Sequence, residues 1–229
     1  MAKIQFSALL SDARKKIGSA VFSKSRTGNY VRIKKSPTQP RTSAQRSVRS
    51  AFSTNSKAWP GTLTAAERAG WNSLAASSTR KDRFGNSFKP TGLQLYQLCA
   101  RNAQTCGAAT LASAPANLDV DSPISATLTA HSAAGGTLTV AVGTNPAAGD
   151  YVIVAAAAPI SAGRTFVGKL YRVLEVFTGP VSPPMNILSA YTTKFGSLAT
   201  GQNINVLVYY INSTTFAASG KVSAQAICT

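Results

Sequence analysis

The sequence predicts an α+β protein in which a basic β-hairpin and a three-helix module precede an all-β antiparallel sandwich. Hydrophobic periodicity is helical from Arg41 to about Thr105, and beyond residue 118 it gives way to short β-prone runs between turn residues. Charge is divided in the same way. Of the 24 Lys and Arg, 19 lie in residues 1–110 with three of the seven acids, a net +16, whereas residues 111–229 carry +1. Such a density of positive charge repels itself unless an anionic surface neutralises it, so the first half is expected to meet a polyanion or an acidic protein.

Residues 1–40 read as an extended arm containing a hairpin over 19–35, where two β-prone runs flank Arg26-Thr27-Gly28. Lys24, Arg26, Arg32, Lys34 and Lys35 line it, and Pro37 and Pro40 end it. A helical module follows over 41–106. Ala44, Val48, Ala51, Phe52, Asn55 and Trp59 form one stripe of a helix over 42–58, with Arg46 and Arg49 off the stripe, and Pro60-Gly61 stops it. Thr64-Ala65-Ala66-Glu67 and Thr91-Gly92-Leu93-Gln94 are capping-box patterns that open two more helices. Between them a loop exposes Arg80, Lys81, Arg83 and Lys89. The expected core of the module is Phe52, Trp59, Trp71, Leu95 and Tyr96.

Residues 107–118, small and uncharged, read as a linker to a second domain over 119–229. Strands are expected over 124–131, 137–142, 151–156, 165–177, 203–211 and 221–227, with a short helix at 186–195 capped by Gly196.

Catalysis needs groups that titrate or coordinate, and the pattern offers few. His131 is the single histidine, the acids are scattered, and no phosphate-binding loop or nucleophile elbow occurs. Asp119 and Asp121 read as a turn at the linker edge rather than a cation site. Cys99, Cys106 and Cys228 make an odd count without metal-ligand spacing, so reduced thiols are expected. No enzyme activity, metal or cofactor is therefore expected. The longest apolar run, 151–160, is too short for a helical membrane span, and no signal pattern follows the N-terminus, so a soluble protein made in a cytoplasm is expected. The candidate docking residues are Lys24, Arg26, Arg32, Lys34, Lys35, Arg41, Arg46, Arg49, Arg80, Lys81 and Arg83, whose spread over several elements suits backbone phosphate or acidic protein better than base reading. Tyr151, Tyr171, Tyr191, Tyr209 and Tyr210 are the aromatics a glycan site could use, but packing roles are expected for most.

The segments SDARKKIGSAVFSKSRTGNYVRIKKSPTQPRTSAQRSVR, SKAWPGTLTAAERAGWNSLA and DRFGNSFKPTGLQLYQLCARN resemble a family of uncharacterised proteins encoded by bacteriophages and prophages. The resemblance implies a fibronectin-III-like or immunoglobulin-like sandwich after them and a virion-associated role, with no functional residues to carry over. A local likeness, from Trp59 to Trp71 with the GLQLYQL helix in permuted order, is to the HMG box, whose members bend DNA through an apolar wedge; no residue here matches the wedge. The expectation is a phage virion structural protein, capsid- or tail-associated, anchored by its basic front end. Other virion proteins and further copies of the chain are its expected partners, with no membrane. The alternative is a genome-packaging protein that binds nucleic acid without regard to sequence.

Overall fold

A computed structural model of the chain describes residues 2–3, 13–25, 28–35, 40–81, 86–132, 136–161 and 167–229. It is an α+β structure of helices and antiparallel sheets, divided into two compact units, Met1–Ser47 and Val48–Thr229. The first unit holds a four-stranded antiparallel sheet in the order β1-β4-β3-β2, made of β1 (Ala2–Lys3), β2 (Lys15–Ile17), β3 (Ala20–Ser25) and β4 (Gly28–Ile33). None of its described residues is buried.

Helix α1 (Ser43–Gly61) begins in the first unit and continues into the second. Pro60 lies in its last turn, where its missing N–H and ring end the helix, and Thr62 and Leu63 donate back to the Ala58 carbonyl. In α2 (Ala65–Ser77) and α3 (Gly92–Thr105) both N-terminal boxes are closed in both directions: the hydroxyls of Thr64 and Thr91 accept from the N–H groups of Glu67 and Gln94, whose side chains accept in return from the cap N–H groups. These bonds hold the Glu67 carboxyl below its ordinary pKa. Helices α2 and α3 touch at Gly92, where a Cβ would come within 2.3 Å of the Asn72 side chain and 2.9 Å of its backbone N. The two-residue strands β5 (Arg80–Lys81) and β6 (Ser87–Phe88) pair between them.

The remaining strands form two sheets. One has the order β11-β8-β7, from β7 (Ala126–His131), β8 (Thr137–Val142) and β11 (Met185–Asn186). The other has the order β10-β9-β12-β13, from β9 (Tyr151–Ala156), β10 (Arg172–Thr178), β12 (Asn203–Ile211) and β13 (Val222–Ile227). Leu138, Val140, Val152, Val154, Val206, Val208 and Tyr210 from both sheets share one core with Ile187 and Tyr191, the latter on α4 (Leu188–Phe195). Gly196 ends α4 at φ 91°, a backbone region that favours glycine.

The four-stranded sheet is covered on its other face as well. Ile153 and Ile211 point away from the sandwich core and pack in a second cluster with Trp71, Leu95, Tyr96, Cys99 and Ala103 of α2 and α3. Strand β9 is consequently buried almost throughout, which is why YVIVAA is a continuous apolar run rather than an alternating one. Residues 107–118, expected as a linker, instead run along this helical core: Leu111, Ala114 and Leu118 are half-buried against it, and the Ala112 carbonyl accepts from Trp71 Nε1 at 2.9 Å. The expected domain boundary thus falls inside the second unit, because the helices and the sheet complete each other's core.

Both edges of the four-stranded sheet are interrupted. The end of β13 meets β7, with Ser132 N donating to the Thr229 carbonyl at 2.7 Å and Thr229 N to that of Ala130 at 3.2 Å. At the opposite edge, β10 carries a bulge between Val173 and Glu175, and Lys194 Nζ donates to the Val173 carbonyl.

Candidate docking surface

Pairing register sorts the side chains of the N-terminal sheet onto two faces. Lys16, Val21 and Arg32 lie opposite one another across β2, β3 and β4, and Tyr30 follows beside Ser23, so this face is basic with Tyr30 in it. On the reverse face Ile17, Ala20 and Ile33 form one row, Lys15, Phe22 and Val31 the next, and Lys24 and Asn29 the third. Ile17 and Ile33 are 65% and 77% exposed. The sheet therefore has one basic face and one largely apolar face.

The candidate docking residues fall into three groups. Arg32, Lys34 and Lys35 are exposed on or just after β4, while Lys24 is exposed on the apolar face. Arg41 precedes α1, and Arg46 and Arg49 sit one turn apart on it; all three are exposed. Lys81 is exposed on β5, whereas Arg80 beside it is half-buried, and its charge partly offsets the burial that raises the Cys99 thiol to about 11. Arg80 is therefore turned at least partly toward the helical core, not wholly to solvent. Arg26 and Arg83 lie outside the described residues. Sequence reasoning passed over Arg14, Lys15 and Lys16, although three consecutive bases directly before a β-prone run were the available signal. Arg14, Lys15, Phe22, Ser23 and Lys24 line an open depression of about 430 Å³.

Of the expected helical core, Trp71, Leu95 and Tyr96 are buried and Trp59 is half-buried. Tyr96 is the hub, 5.7 Å from the rings of both Trp59 and Trp71. Phe52 is not in the core: it is 59% exposed. Helix α1 meets α3 near its C-terminal end, where Gln104 donates to Asn55 Oδ1 and Gln97 to Ser56 Oγ, both at 2.9 Å, and the stripe through Phe52 and Val48 runs on uncovered.

Asp150, His131, Tyr191 and Tyr210 have structural partners. Asp150, the one buried acid among the described residues, accepts from Ser213 N at 2.8 Å and Ser213 Oγ at 3.1 Å, tying the turn after β12 to the start of β9. His131 is exposed, with Nδ1 2.6 Å from Thr229 Oγ1. All three cysteines are free, and burial raises the Cys106 thiol, like that of Cys99, to about 11. Among the described residues, no group of three or more His, Cys, Asp or Glu could hold a metal, and no helix is long and apolar enough to cross a membrane. Tyr191 and Tyr210 are buried, their hydroxyls donating to the carbonyls of Ala157 and Thr144, while Tyr151 and Tyr209 pack on the helical core. No protein-family model, curated protein or solved structure matches this chain.

Proposed function

We propose that this chain is a structural protein of a phage particle, docked through its N-terminal unit onto an anionic surface and holding its C-terminal sandwich in place. The observation that carries this reading is the unit formed by residues 1–47. Its sequence carries eleven bases against one acid, a net +10, and its described residues form one four-stranded sheet and the start of α1, with none of them buried. A one-layer sheet has no second layer on which to bury its apolar face and becomes independently stable only when that face is covered. The resemblance of the N-terminal segments to phage-encoded proteins supports a virion as the source of that cover, supplied by other virion proteins, with further copies of this chain as neighbours.

The C-terminal body is read as an immunoglobulin or fibronectin-III-like sandwich. Its support is strand order: numbering its seven strands from β7, the sheets run 5-2-1 and 4-3-6-7, with a crossover between sheets after the second and fourth strands and a return after the fifth. The basic hairpin and helices before it form the anchor.

The test is incorporation. Purified particles from a host carrying the gene should contain the chain in fixed stoichiometry, and a variant with Lys16, Arg32, Lys34 and Lys35 changed to Glu should be lost from them while remaining folded by circular dichroism. Absence of the native chain from purified particles, or undiminished incorporation of the variant, overturns the proposal.

A further inference from the structure

We infer that the apolar face of the N-terminal sheet, built from Ile17, Ala20, Phe22, Val31 and Ile33, is a docking surface for an acidic protein whose contact region has an apolar centre. The inference rests on the docking reading above and names the class of partner. Its first ground is exposure: Ile17 and Ile33 flank Ala20 in one cross-strand row and stand 65% and 77% open. Aliphatic side chains gain by leaving water against other apolar groups. Phosphates offer them nothing, and single-stranded bases are gripped by stacking on aromatic rings, of which this face has one, Phe22.

Charge selects among protein partners. Two copies of a unit carrying +10 repel when brought face to face, so a second copy is disfavoured and an acidic partner is favoured. The placement of bases on the face refines the match. Lys15 and Lys24 lie beyond the Ile17–Ala20–Ile33 row, and with Arg14, Phe22 and Ser23 they line the depression of about 430 Å³. The complementary surface carries apolar side chains opposite the isoleucines and carboxylates opposite the lysines.

The test uses the full chain and three defined probes at ~150 mM salt: poly-L-glutamate, a random Glu–Tyr copolymer of matched charge, and a duplex DNA oligomer. The copolymer should bind about tenfold more tightly than poly-L-glutamate. Ile17→Ser with Ile33→Ser should close that gap and leave poly-L-glutamate and DNA binding unchanged. The inference is overturned if the copolymer has no advantage or if the advantage survives the substitutions. It is also overturned if the substitutions weaken DNA binding instead, or abolish a self-association seen by sedimentation. Charge reversal at Lys16, Arg32, Lys34 and Lys35 separates the two readings: unchanged poly-L-glutamate binding there sinks electrostatic docking, while the copolymer gap still decides the apolar face.

Discussion

Residues 1–47 and residues 48–229 show two opposite ways of handling a β-sheet. The first unit displays its sheet: neither face has a buried residue among those described, and the bases crowd around it. The second encloses one, with β9 and β12 buried on one side by the partner sheet and on the other by α2 and α3. A sheet covered on both faces draws its stability from its own chain, whereas an open one must obtain it from elsewhere. The contrast separates a body that is finished on folding from one that is finished on assembly.

The severest way to break the comparison is Trp71→Ala. Trp71 is fully buried between the helices and holds the 107–118 strap through its indole N–H, so its truncation should cost about 3–5 kcal/mol. Because the helical core includes Ile153 and Ile211, the helical and β signals in circular dichroism should fall together in one urea transition. Separate transitions would mean that the helices and the sandwich are independent bodies after all. A smaller loss, about 1 kcal/mol, is expected for Thr91→Ala, which removes the acceptor for Gln94 N at the start of α3. A midpoint shift in urea at unchanged slope would register it. The least effect belongs to the first unit: Ile33→Ser should change global stability by no more than about 0.5 kcal/mol, since Ile33 stands in solvent. A larger loss in the same urea experiment would reveal that the open sheet is already covered within the isolated chain.

Local chemistry was legible where it closes on itself. The two capping boxes need only residues three apart, and the strand expected over 203–211 coincides with β12 (Asn203–Ile211) because the β-prone apolar run from Val206 to Ile211 is bounded by Asn205 and Asn212. Non-local cover was not legible. The stripe on α1 reads equally apolar at Phe52 and at Trp59, yet only the end near Trp59 meets α3. The composition of 107–118 resembles a linker because small residues also suit close packing beneath Trp71. One long-range clue was present in the unbroken apolar run of β9, which called for cover on both faces. The basic surface was visible as composition, but which bases share a face with the apolar residues Ile17, Ala20, Phe22, Val31 and Ile33, namely Lys15 and Lys24, needed the register of β2, β3 and β4.

The bulge and Lys194 at β10, together with the β7 closure over β13, have a bearing on crowding. Neither border of the larger sheet offers a clean row of free amides and carbonyls to a neighbour. Many such bodies can be held at high local density without zipping into a continuous ribbon, and each retains its own outline however tightly its neighbours are set beside it.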